Sequence, residues 1–194
     1  DETQRLFKAE QQRVAELAVI TSVQETLASK LEFREMINIV GDKISEVFNT
    51  QEMSIRLVDH VSNIVSFPYI TDHGVKLEVE PMPLGVGFTW EVVRTRQPLV
   101  INNNMAERSA EFGSFTIGDE PIPTLSFLGV PIISGDEVIG VVTIESKYEN
   151  AFKPSDVSLL VTLANSMSVA LENARLFDEP ERRARESLVL NEVG

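Results

Sequence analysis

The sequence has no cysteine. That excludes disulfides, zinc–thiolate centres, thiol nucleophiles and any cofactor attached through sulfur, and it fits a reducing, cytoplasmic setting. Basic residues are scarce: 17 Lys and Arg face 30 Asp and Glu, a net charge of −13. A nucleic-acid surface needs clustered cations to neutralise phosphates, so nucleic acid is not an expected partner. The same balance disfavours an anionic membrane. Arg182, Arg183 and Arg185 form the one basic cluster and read as a solvated helix face. Long apolar runs are also missing. Val138-Ile139-Gly140-Val141-Val142 falls far short of the roughly 20 residues that span a bilayer. The two histidines, His60 and His73, stand near strand ends with no metal ligand or nucleophile at a useful spacing. No metal site and no catalytic residue is therefore assigned.

What is present describes one globular domain. The 194 residues are 43% apolar, enough chain and enough apolar surface for a sizeable core. Residues 1–31 read as one helix, with Leu6, Leu17, Ile20, Leu27 and Leu31 at three-and-four spacing and polar Arg13 and Gln24 interrupting the stripe. A second helix is expected over 33–48 on Phe33, Met36, Ile37, Val40 and Ile44, with Gly41 its weak point. Strands follow. "EMSIRLVDH" alternates Met53, Ile55 and Leu57 against Ser54 and Arg56; "NIVSFPYI" carries Pro68, which marks an edge or a strand end. "VKLEVE" alternates Val75, Leu77 and Val79 against charged neighbours. A short helix is expected near Phe88–Arg96, then the strand "LVI", then a long connection over 102–124 with one helical turn near Met105. "LSFLGVPIISGDEVIGVVTIES" is a hairpin turning at Ser134–Glu137. Its strands are apolar on both sides, so both faces of the sheet must be covered. A last helix starts near Pro154, with Leu160, Leu163, Met167, Ala170, Ala174 and Phe177 on its stripe. The fold class is α+β, an antiparallel sheet of about six strands between helices.

Three segments, "PLGVGFTWEVVRTRQPLVINN", "SFLGVPIISGDEVIGVVTIES" and "AFKPSDVSLLVTLANSMSVALENARLF", occur in this order and at this spacing. Together they resemble a GAF domain over about Leu17–Phe177. The resemblance implies a six-stranded antiparallel sheet with terminal helices on one face. A ligand cavity is implied between the other face and the helical excursion. It also implies one module of a multidomain bacterial signalling protein. The chain opens on Asp1, and "RLFDE" at Arg175–Glu179 overlaps "DETQRLF" at its start. A junction helix shared by modules in series is the expected reason. The expected divisions are a linker helix over 1–31, the sensory domain over 32–177 and a linker helix or tail over 178–194.

The resemblance also frames the site. Sulfur-linked bilins and the cysteine chemistry of GAF methionine sulfoxide reductases are excluded, and no cofactor is expected beyond an unidentified small ligand. GAF domains that bind cyclic nucleotides carry an Asn-Lys, Phe and Asp-Glu set. Lys147, Phe152 and Asp156 match its spacing, but Ser146 and Val157 replace the asparagine and glutamate. A structural role is favoured, with Lys147 pairing with Asp156 and Phe152 in the core. Gly85-Val86-Gly87 lacks the rest of a phosphate loop and reads as a tight turn. The ligand-binding candidates are Phe67, Tyr69, Trp90, Arg94, Asn102, Phe112, Phe115, Phe127, Thr143 and Glu145, aromatics with a few polar groups, as a small-ligand pocket requires. Tyr69, Trp90 and Phe127 are expected to approach one enclosed space.

The function expected is a non-catalytic sensor that pairs with a second copy and signals to adjacent domains of its parent chain. The alternatives are a ligand-free dimeric spacer, a cyclic-nucleotide sensor, and an independent enzyme for which no constellation is found. Leu17, Ile20, Gln24, Leu27, Leu31, Leu163, Met167, Ala170, Ala174 and Phe177 are the candidate dimer contacts, because long apolar stripes need cover.

Overall fold

The computed structural model describes residues 1–26, 30–117 and 123–172. Its elements are α1 (Glu2–Thr26), α2 (Lys30–Phe48), β1 (Met53–Asp59), β2 (Ile64–Asp72), β3 (Val75–Lys76), β4 (Met82–Pro83), α3 (Phe88–Thr95), β5 (Leu99–Ile101), α4 (Met105–Phe112), β6 (Ser126–Ser134) and β7 (Glu137–Ser146). A fifth helix, α5, occupies 154–172. Among the described residues no helix is long and apolar enough to cross a membrane. The chain divides into two compact units, one from the described residues of the terminal segments 1–36 and 170 onward, the other Ile37–Val169.

The α+β expectation holds. The sheet is antiparallel, in the order β3-β2-β1-β7-β6-β5, with β4 also paired to β2. "VKLEVE" is corrected: only Val75 and Lys76 pair, and Val75 is exposed. Leu77 and Val79 still turn inward, against Val65, Phe67 and Ile70. Pro68 is corrected too, since β2 runs through it to Asp72. Tyr69 lies opposite Ile55 and Ser66 opposite Leu57, so Phe67 and Pro68 together face Arg56. Proline is tolerated at such a bulge because the ladder is already interrupted there.

Strand alternation sorts the sheet into two faces. One carries Ile55, Tyr69, Leu128, Val130, Val142 and Ile144, all buried. Helix α2 lies on it through Ile37, Gly41 and Ile44, which are buried at helical spacing. The Tyr69 ring is so close to the α2 backbone that a Cβ on Gly41 would overlap it, and its hydroxyl donates to Asp42 at 2.8 Å. Burial raises the Tyr69 pKa, with Ser45 and Asp42 as lesser influences. On α5, Leu160, Ala164 and Met167 form the buried stripe. The expected stripe was slightly misplaced, because Leu163 is half-buried and Ala164 fully buried.

Gly41 is therefore a packing requirement rather than a flaw. Alanine there should gain about 1 kcal/mol of helix propensity and lose about 1–3 kcal/mol to overpacking. Urea unfolding of Gly41→Ala should show a net loss, and adding Tyr69→Ala should reverse the sign of the Gly41→Ala effect. A higher urea midpoint for Gly41→Ala alone would show that the ring has room to move.

Candidate ligand site

The second sheet face carries Ser54, Arg56, Phe67, Phe127, Thr143 and Glu145, and here the sheet is not packed solid. A cavity of about 370 Å³ lies over these residues. Gly87, Phe88 and Thr89 at the start of α3, Met105 and Ser109 on α4, and the stretch from Ser114 to Ile117 line it from the other side. Local sequence explains the roof. On α3 the buried residues Phe88, Thr89, Val92 and Val93 fall on one arc, and Val92 and Val93 pack with Val58, Leu84, Val138 and Val141. Phe88 meets Phe127 at 4.9 Å between ring centroids and Phe112 edge-on at 5.8 Å. Gly129 makes this possible, because a Cβ there would press on the Phe127 ring and on Val92.

Arg56 dominates the floor. Its Nε donates to Ser54 Oγ at 2.8 Å and its Nη1 to Thr89 Oγ1 at 2.7 Å. The guanidinium lies 5.2 Å from the Phe67 ring centroid, a cation–π distance. Burial lowers the Arg56 pKa from its ordinary value, and the negative charge of Glu145 partly opposes the shift. Beside it Ser54 Oγ and Thr143 Oγ1 share a 2.5 Å hydrogen bond. Glu145, further along β7, accepts from Thr124 Oγ1 at 3.3 Å. This is a cavity with an aromatic wall and a part-buried cation, suited to binding and orienting a small molecule.

Of the residues expected here, Phe67, Phe115, Phe127, Thr143 and Glu145 line the cavity, and Phe112 stands behind Phe88. The expected meeting of Tyr69, Trp90 and Phe127 is corrected. Tyr69 points to the α2 face, because the bulge puts it on the side of the sheet opposite Phe67. Trp90 is on the outer arc of α3, packed at the edge of the Val58–Val141 cluster. Arg94 is exposed and paired with Glu91 at 2.6 Å, a hydrogen bond that raises its pKa. Asn102 is a clamp: its amide donates to the Phe152 carbonyl at 2.9 Å and accepts from the Phe152 N–H at 3.1 Å. Lys147 does not pair with Asp156 as expected. It lies over the Tyr148 ring, while Asp156 accepts from the Lys153 N–H at 2.8 Å and caps α5. His73 is not isolated: Nδ1 lies 2.8 Å from Asp72 and Nε2 3.9 Å from Glu52. Those three residues form a potential cation-binding group away from the cavity lining. Ser54, Arg56 and Thr89 were missed. The available signal was the polar side of β1 in a sheet that had to be covered on both faces.

Of the candidate dimer contacts, Leu17 is exposed, Met167 is buried within the chain, and Leu163 and Ala170 are half-buried. Leu27, Ala174 and Phe177 lie outside the described residues, as do the side chains of Ile20, Gln24 and Leu31.

Residues 30–172 match the family model of the GAF domain. The chain belongs to the GAF family. It is 27% identical over 183 residues to the formate hydrogenlyase transcriptional activator of Salmonella typhimurium, covering 90% of this chain and 26% of that protein. The Escherichia coli activator is 26% identical over the same coverage. The chain thus spans about a quarter of the length of these curated relatives. Among solved structures, the GAF domain of an Acinetobacter phosphoenolpyruvate-protein phosphotransferase superposes with a TM-score of 0.64 at 20% identity, over 84% of this chain and 95% of that one. A free methionine-R-sulfoxide reductase of Neisseria meningitidis reaches 0.60 at 20% identity, over 81% and 89%. These two likenesses show the fold.

Withdrawing the part-buried Arg56 guanidinium from water costs desolvation that the fold need not bear. Arg56→Met should therefore unfold in urea at a stability within about 1 kcal/mol of the parent or above it. Ser54 and Thr143 would keep their mutual hydrogen bond, and Glu145 its contact with Thr124. A loss of several kcal/mol would make Arg56 a structural residue.

Proposed function

We propose that this GAF module is a non-catalytic sensor. A small molecule binds over Arg56, the module pairs with a second copy through its terminal helices, and binding is relayed to an output domain of the parent protein. The cavity of about 370 Å³ with the part-buried guanidinium of Arg56 on its floor carries this reading. Without cysteine, the sulfur chemistry of the reductase relatives has no nucleophile here. The curated relatives are transcriptional activators, and control of transcription is the output proposed by analogy. The cyclic-nucleotide alternative lacks support, since Lys147, Phe152 and Asp156 are not among the lining residues.

Pairing rests on α1, where Leu6, Phe7, Val14 and Leu17 are all exposed. Phe7 and Val14 are seven residues apart and Leu17 follows three later, the spacing of a parallel coiled-coil seam. Helices α2 and α5 each include residues of both units. They are the proposed relay, because packed helices shift between discrete arrangements.

Two measurements test this. Native mass spectrometry of the purified chain should retain a bound small molecule, or gain one from a metabolite extract. An empty protein in both cases favours the spacer. Light scattering at tens of micromolar should give a dimer mass that falls in Phe7→Glu and Val14→Glu. A monomeric parent, or variants of unchanged mass, overturns the pairing.

A further inference from the structure

The sensor reading leaves the chemistry of the ligand open, and two features of the cavity narrow it. The first is the unused edge of Arg56. Nε and Nη1 are engaged by Ser54 and Thr89, but no described residue accepts from Nη2, and Arg56 lines the cavity. Guanidinium offers five donors in a planar fork, so the edge that Ser54 and Thr89 leave free is open to a ligand in the cavity.

The second is the start of α3. Gly87 occupies the N-cap with φ 97°, a conformation that favours glycine, and no side chain caps the helix. Its carbonyl takes the Glu91 N–H, while the first-turn N–H groups of Phe88 and Thr89 have no acceptor within the helix. Gly87, Phe88 and Thr89 all line the cavity. The hydroxyl of Thr89 accepts from Arg56, so the cation and the positive end of the helix dipole converge on one place. The Gly85–Gly87 turn is what brings backbone this close.

We infer that the cavity takes a compact organic monocarboxylate. Its carboxylate sits between the Arg56 guanidinium and the first turn of α3, and its apolar body lies against Phe88, Phe127 and Met105. A planar carboxylate matches the guanidinium fork. The Phe67 ring beneath the guanidinium helps to hold its plane. A dianion such as phosphate is opposed by Glu145 in the same cavity and by the net charge of −13. Phe88 and Phe127 are almost wholly buried and present an apolar wall, which favours a ligand with an apolar part.

The inference rests on the sensor reading, and the experiment separates the two. The isotope-labelled chain is titrated, by nuclear magnetic resonance, with isovalerate and benzoate, with the matched amides isovaleramide and benzamide, and with inorganic phosphate. The parent is compared with Arg56→Met and Arg56→Lys. At least one carboxylate should shift the Gly87, Phe88 and Thr89 amides and bind about tenfold or more tightly than its amide. Phosphate should bind more weakly than that carboxylate. Arg56→Met should abolish the preference, and Arg56→Lys should keep part of it. Should Arg56→Met fail to fold, the comparison of acid with amide in the parent decides alone. Equal binding of acid and amide, tightest binding of phosphate, or a preference that survives in a folded Arg56→Met overturns the carboxylate assignment. So does millimolar titration without binding. If an amide or a co-purified neutral molecule occupies the cavity, the sensor reading survives without the carboxylate. If nothing binds and nothing co-purifies, both fall.

Discussion

The hydrogen bond from Arg56 to Thr89 joins the floor of the cavity to its roof. It links the middle of β1 to the first turn of α3 at 2.7 Å, across a space that a well-packed domain would close with apolar side chains. A guanidinium there gives up part of its water, and this burial lowers its pKa. Ser54, Thr89, the Phe67 ring and the charge of Glu145 offset part of that cost. Folding alone gives no reason to bear the remainder, which is why Arg56 is central to the proposed ligand site.

The two faces of the sheet show the contrast. On the α2 side the packing is tight enough that Tyr69 tolerates no side chain at Gly41. On the other side α3 and α4 reach over the sheet through Phe88 and Phe112, and the aromatic contacts hold the roof without filling the space beneath. The bulge at Phe67–Pro68 separates these environments within one strand. By adding a residue it sends Phe67 to the cavity and Tyr69 to the helix, so two neighbouring aromatics serve different ends.

Membership of the GAF family sets the framework for the proposed role without deciding it. Within structures of similar fold are a domain of a phosphotransferase and a reductase that acts on a free amino-acid derivative, so the fold hosts more than one activity. What this chain can do follows from its own residues. It has no sulfur nucleophile, a cation in the cavity, and a terminal helix with apolar side chains on its surface. That combination is the basis of the proposed sensor role.

Local pattern was sufficient for much of the fold. The β6–β7 hairpin, the apolar stripe of α2, the start of α5 at residue 154 and the excursion over Phe88–Phe112 all follow from periodicity and turn chemistry. So did the demand that both sheet faces be covered, because the hairpin strands are apolar on both sides. The site was read less well for a definite reason. A strand pattern tells which residues share a face, but not whether that face meets water, packing or a cavity. Ser54 and Arg56 look in the sequence like the polar side of β1, and in the fold they form the floor. Tyr69 and Trp90 had the composition of a pocket but the wrong direction, one turned by a bulge in β2 and the other by 100° steps along α3. The sequence by itself determined most of the elements, their order and the absence of sulfur chemistry, because these depend on neighbours along the chain. Only the tertiary structure decided that Arg56 meets Thr89, 33 residues away, because that contact exists only once α3 has folded back over the sheet.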